Sequence, residues 1–407
     1  MRRLALVLVT VFLVLGTATP AHADTIRNRE YWLADYGITT AWATTRGAGT
    51  TIAIIDSGVD GSHPDLGGAV VGAVDFSGSG SGGGPVAGND HGTMVAALAA
   101  GRGHGSDDGV IGAAPEAGIL AISIGFTADD SSDPQVAEAI VWAVDHGADV
   151  INMSFTRNTL DWPESWDEAF LYADEHDVVM IAAAGNRGSG TAVVGAPATI
   201  PGVLTVGGVT KAGAASQDAS SQGITIGVCA PSEQLVGATP GGGYSLWSGT
   251  SGAAPIVAGV AALVRAAHPE LSAANVIERL ISTATPAGVD GVDPIYGYGL
   301  VDAAAAVSAN VPTVTANPMG DLAEWVRINR RATAEKPPVE TLEPEPSPSA
   351  TALPESSDQS SSGGIFPTLG QWRDVGIPLL LFGVFGISFV LVIMAGVRQF
   401  MAARRKE

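Results

Sequence analysis

Of the chain's 407 residues only one, Cys229, is a cysteine, so no disulfide can close within it and no thiolate cluster can hold a metal. Cys229 itself reads as a small, buried apolar residue. Basic residues are also scarce: 20 Lys and Arg stand against 41 Asp and Glu, a formal net charge of -21, with no basic stripe. Such a chain is unsuited to a phosphate backbone, which excludes nucleic acid as a partner. Aromatics make up only 6% of the residues while glycine reaches 53. Small side chains and tight turns must therefore do most of the packing. No Lys-Ser/Thr follows the Gly/Ser run Gly78–Gly84, so it is not a phosphate loop. It reads instead as a flexible insert ahead of His91.

Apolar runs at the two ends of the chain carry membrane signals. Arg2 and Arg3 precede an apolar run from Leu4 to Leu15, and Ala21-His22-Ala23 closes the stretch. This is the pattern of a signal peptide over residues 1–23, with the mature chain starting at Asp24. Gly376 to Val397 carries no charge and is followed by Arg398, Arg404, Arg405 and Lys406. That predicts a transmembrane helix over 373–397 and a basic cytoplasmic tail over 398–407. Residues 312–372, rich in Pro, Glu and Ser from 337 to 364, read as an extended tether with a short helix near Leu322–Ile328. The expected topology is single-pass type I in the cell membrane, with residues 24–311 as an extracellular domain.

Within that domain, continuous apolar runs suit strands covered on both faces: Thr51–Ile55, Gly118–Ile124, Asp149–Met153, Val178–Ala184, Val203–Gly207 and Ile224–Val228. Helical patterns fall between or after them: Gly92–Ala100, Pro134–His146, Glu164–His176, Gly252–Ala267 and Ala273–Thr283. Alternating strands and helices predict a doubly wound α/β domain, its mainly parallel sheet flanked by helices on both faces. Ligands of such sheets lie at the carboxyl ends of the strands.

Three segments place reactive groups at such ends. Asp56 closes the run Ile52–Ile55 and precedes Ser57-Gly58; His91 enters a helix beside Gly92; Ser251 opens another in Gly249-Thr250-Ser251-Gly252. Singly, each also reads as a cap or a structural residue. Together they supply what serine hydrolysis needs: a nucleophile, a base to take its proton and a carboxylate to orient the base.

The order Asp, His, Ser and the motifs Asp56-Ser-Gly, His91-Gly-Thr and Gly249-Thr-Ser251 resemble the subtilisin-like serine proteases. The resemblance extends over most of residues 30–310 and implies a peptide hydrolase acting on polypeptides. It implies that Asn186, in Ala182-Ala-Ala-Gly185-Asn186, donates to the oxyanion with the Ser251 N–H. It also implies that Val150-Ile-Asn-Met-Ser154, with Phe155 and Thr156, lines the substrate cleft. Val194-Gly195-Ala196-Pro197 would form the floor of the primary pocket, with Ala196-Pro197 cis. His63-Pro-Asp65-Leu and Tyr296–Asp302 match further family segments.

Three departures stand out. Gly252 replaces the usual methionine and should loosen the helix start. Thr156 replaces a usual glycine, narrowing a pocket that suits small or modest apolar side chains. The stretch between the cleavage site and Trp32 is too short for the family's inhibitory prodomain. Signal peptide, tether and anchor together resemble the mycosins of actinobacterial type VII secretion, without their paired cysteines. That resemblance implies a secretion complex as partner, and, as an alternative function, a structural role within it. The chemistry requires no cofactor. Calcium, common in the family, would be held by Asp65 or by the acidic clusters Asp107-Asp108 and Asp129-Asp130…Asp133. An α/β-hydrolase esterase is disfavoured because Ser251 lacks the second glycine of the elbow motif.

Overall fold

The computed structural model describes residues 25–86, 88–105, 108–126 and 132–330. The predicted signal peptide, transmembrane helix, basic tail and most of the tether lie outside the described residues. Eleven strands are formed among the described residues: β1 Thr51–Asp56, β2 Val70–Asp75, β3 Arg102–His104, β4 Asp108–Ile111, β5 Gly118–Ser123, β6 Val150–Met153, β7 Val179–Ala183, β8 Leu204–Val209, β9 Ile226–Pro231, β10 Leu235–Thr239 and β11 Gly243–Trp247. The helices used below are α1 His91–Ala100, α2 Asp133–Asp145, α3 Ser165–Glu175, α4 Thr250–Ala267, α5 Ala273–Ser282 and α6 Leu322–Asn329.

Seven strands form one sheet in the order β2-β5-β1-β6-β7-β8-β9, every neighbour parallel. Its inner strands are buried almost residue for residue, as their unalternating apolar runs require. Only the edge strand β2 alternates exposed and half-buried positions. The other edge, β9, is covered by the segment Tyr298–Val301, whose backbone bonds to Gly227 and Cys229 at 2.8–2.9 Å. β9 begins two residues later than expected because Ile224 points into solvent, 86% exposed.

α1 and α4 pack on each other and against the sheet, while α2 and α3 form a second pair against β1 and β7. α4 is long and apolar enough to cross a membrane, yet it is the buried axis of the domain. Alanine and glycine make this packing close: a Cβ added at Gly259 of α4 would lie 2.6 Å from Ala113 Cβ and 2.7 Å from the Ala99 carbonyl.

The domain does not end at 311. Residues up to Arg330 stay on it, and α6 lies against α3. Leu322 is buried, Trp325 stacks on Trp162 with centroids 4.3 Å apart, and Arg330 Nε bonds Asp167 Oδ2 at 2.8 Å. Residues 312–330, expected to open the tether, therefore pack on the domain, because this Pro-flanked stretch of no net charge carries one apolar face and one aromatic anchor. The Gly/Ser insert is also more organised than expected. Asp75 accepts bonds from the backbone N–H groups of Ser77 and Ser81 and from the hydroxyls of Ser77 and Ser79. Burial opposes these bonds, but they prevail and lower the Asp75 carboxyl to about 2.

Candidate active site

Asp56, the last residue of β1, is completely buried. Its Oδ1 accepts the Ser57 N–H at 2.7 Å, and His91 Nδ1 lies 2.8 Å from Oδ1 and 3.0 Å from Oδ2. A carboxylate so placed keeps the proton on Nδ1 and leaves Nε2 as the accepting nitrogen. Burial alone would lower the His91 pKa; the charge and hydrogen bond of Asp56, with Asp90 adding, raise it above the ordinary imidazole value.

His91 opens α1, its N–H bonded to Asn89 Oδ1 at 3.1 Å. The glycine beside it is required by packing: a Cβ on Gly92 would lie 2.3 Å from the Gly58 carbonyl oxygen. Trp247, at the end of β11, meets the His91 ring edge to face with centroids 5.7 Å apart. Sequence reasoning missed this residue because it missed the β10–β11 hairpin. The signal was there, in Pro240-Gly241-Gly242-Gly243 between two short strand-like runs.

Ser251 sits in the first turn of α4. Its hydroxyl donates to the Ser154 carbonyl at 3.1 Å, and the Ser154 hydroxyl donates back to the Ser251 carbonyl at 3.0 Å. The second bond exists because of Pro255. Ser251's carbonyl would normally accept the N–H four residues on, and proline has none. Asn152 Nδ2 donates to Ser154 Oγ at 2.9 Å and completes the chain, so Asn152, Ser154 and Pro255 jointly hold the Ser251 backbone.

Asn186 follows β7. Its Oδ1 accepts the Thr250 N–H at 2.7 Å and the Thr250 hydroxyl at 3.0 Å. A backbone donor fixes which amide atom is oxygen, so Nδ2 is turned away from Thr250 and makes no hydrogen bond among the described residues. The turn needs Gly249, whose φ is +152° and whose added Cβ would lie 3.2 Å from Asn186 Nδ2. Gly252 has a different reason from the expected loosening. A Cβ there would lie 2.3 Å from Leu235 Cδ1, so the small residue admits the β10–β11 hairpin against α4.

The four expected cleft residues fall in three places. Ser154 touches Ser251 directly. Phe155 meets Phe126 edge to face, with centroids 6.1 Å apart, over a hollow lined by Ile124, Val136 and Trp166. Thr156 and Gly195 face each other across two backbone bonds of 2.8 Å, Arg157 N–H to Ala196 O and Ala196 N–H to Thr159 O. The Ala196-Pro197 bond is cis. Cys229 is buried, and burial pushes its thiol up to about 12, so it is no nucleophile. Asp65 does not suit calcium here: Oδ1 is bonded to His104 Nδ1 at 2.5 Å and Oδ2 to the Val110 N–H at 2.8 Å. Asp133 is paired with Arg157, while Asp107, Asp129 and Asp130 lie outside the described residues.

The sequence profile of the subtilase family matches residues 47–299. Fervidolysin of Fervidobacterium pennivorans is 34% identical over 336 residues, 74% of this chain and 46% of its own. Subtilisin of Bacillus pumilus is 37% identical over 263 residues, 64% of this chain and 91% of its own. Among solved structures, MycP1 from the ESX-1 type VII secretion system superposes with a TM-score of 0.61 at 30% identity, covering 74% of this chain and 92% of that one. The chain thus spans about half the length of fervidolysin and about nine-tenths of the Bacillus pumilus subtilisin.

Proposed function

The chain belongs to the subtilase family of serine endopeptidases, and on that premise we propose that it hydrolyses peptide bonds through an acyl-enzyme built on Ser251. The observation that carries this is the buried Asp56 carboxylate set on His91 Nδ1 at 2.8 and 3.0 Å, with α1 packed on α4, whose first turn carries Ser251.

In the reaction the Ser251 hydroxyl leaves the Ser154 carbonyl for His91 Nε2, which accepts its proton as Oγ attacks the substrate carbonyl. The imidazolium so formed is stabilised by Asp56. The negative oxygen of the tetrahedral intermediate is met by Asn186 Nδ2 and the Ser251 N–H, at the positive end of α4. His91 then passes its proton to the leaving amine, and water repeats the sequence on the ester. No metal or cofactor enters these steps.

The anchor and tether read from the sequence make this a membrane-held enzyme whose domain lies outside the cell and processes a limited set of surface or secreted proteins. The similarity to MycP1, whose description names a type VII secretion system, favours a second role as a component of such a complex. A fluorophosphonate probe tests the chemistry: it labels the folded protein at Ser251, and Ser251→Ala abolishes labelling and peptide hydrolysis. A folded wild type that resists the probe overturns the proposal. A strain carrying Ser251→Ala that still secretes normally, with cleavage lost, identifies the structural role.

A further inference from the structure

Which peptide bonds are cut is limited by the space beside Ser251. The segment Ser154–Asn158 continues from β6, and Gly185 and Asn186 continue from the neighbouring strand β7. Between them the gap is crossed by side chains. Thr191, 4% exposed, lies against Gly185, where an added Cβ would be 2.5 Å from its Cγ2. The Thr191 hydroxyl bonds Asn158 Oδ1, and the Asn158 N–H donates to Thr156 Oγ1 at 3.3 Å. An added Cβ at Gly195 would lie 2.5 Å from that same Oγ1. The room that Gly195 leaves by having no side chain is thus taken by the Thr156 hydroxyl. A β-branched residue has few χ1 alternatives, and its hydroxyl here accepts the Asn158 N–H, so rotation away from Gly195 gives up that bond.

The geometry points to Thr156 as the residue that sets specificity: held over Gly195 by Asn158, which Thr191 in turn holds, it fills the primary pocket, and the bonds cut are those that follow alanine, glycine or serine. This rests on the catalytic reading above. A pocket short by one or two heavy atoms discriminates by about 10- to 200-fold per group.

The test uses the full-length protein in detergent and two peptides that differ only in alanine or phenylalanine before the scissile bond. Wild type is expected to favour the alanine peptide by about 100-fold or more in kcat/KM. Thr156→Gly shifts the ratio at least tenfold toward phenylalanine. Thr156→Ala, which retains a Cβ and an ordinary backbone, shifts it part of the way, so a loosened backbone cannot account for the trend. Fluorophosphonate labelling of Ser251 is followed alongside. Labelled enzyme that cuts both peptides equally, or a ratio unmoved by both substitutions, overturns the assignment of Thr156 alone. Wild type that neither labels nor cuts overturns the catalytic reading, and this inference with it.

Discussion

Asp56 and His91 are joined by contacts of 2.8 and 3.0 Å around a buried carboxylate, whereas Ser251 is held through neutral bonds to Ser154, and Asn186 through neutral bonds to Thr250. The first half of the site is electrostatic. Its geometry and its protonation state come from one interaction, so a single isosteric change disables both. The second half is a backbone arrangement in which each donor is aimed by a neighbour, and losses there should be graded.

Asp56→Asn should have the largest effect within this comparison, lowering kcat about 10⁴-fold by favouring the wrong tautomer of His91, with folding retained. A loss no larger than that of Asn186→Ala, in single-turnover acylation, would erase the distinction between the halves. Asn186→Ala should lower kcat about 10²- to 10³-fold with little change in KM, since Nδ2 meets charge that exists only in the intermediate.

The pH profile sharpens the electrostatic half. His91 must be neutral to accept the proton, and Asp56 raises its pKa, so kcat/KM should climb with pH through a midpoint above 6.5. Stability runs the other way. A group whose pKa is higher when folded contributes fully below its unfolded value and loses that contribution as pH rises through the folded one. A kcat/KM midpoint at or below 6.5 would contradict the coupling. The smallest effect belongs to Pro255→Ala. It restores an N–H to α4 that competes with the Ser154 hydroxyl for the Ser251 carbonyl, and should lower kcat about two- to tenfold, the weight of one neutral hydrogen bond.

Much of this arrangement was legible beforehand for a definite reason. Asp56, His91, Ser251 and Asn186 sit at strand or helix ends, and such ends are marked by the switch from apolar runs to Gly, Asn and Ser. The inner strands were equally plain, because a strand covered on both faces must be apolar at every position. Less visible were β2, whose edge position gives it a mixed pattern, and the β10–β11 hairpin, whose Trp247 reaches His91 only through folding. The stretch after 311 misled for a related reason: its composition resembles a linker, and a few side chains, Leu322, Trp325 and Arg330, hold it to α3.

The sequence by itself determined the fold class and the four residues of the proposed chemistry, since local patterning and motif order are properties of the chain. Only the tertiary structure decided how those residues are aimed. That Pro255 frees a carbonyl for Ser154, that Gly252 makes room for Leu235 and that Thr156 covers Gly195 are all contacts between segments distant along the chain. They depend on how closely two backbones approach, and no local pattern records that distance.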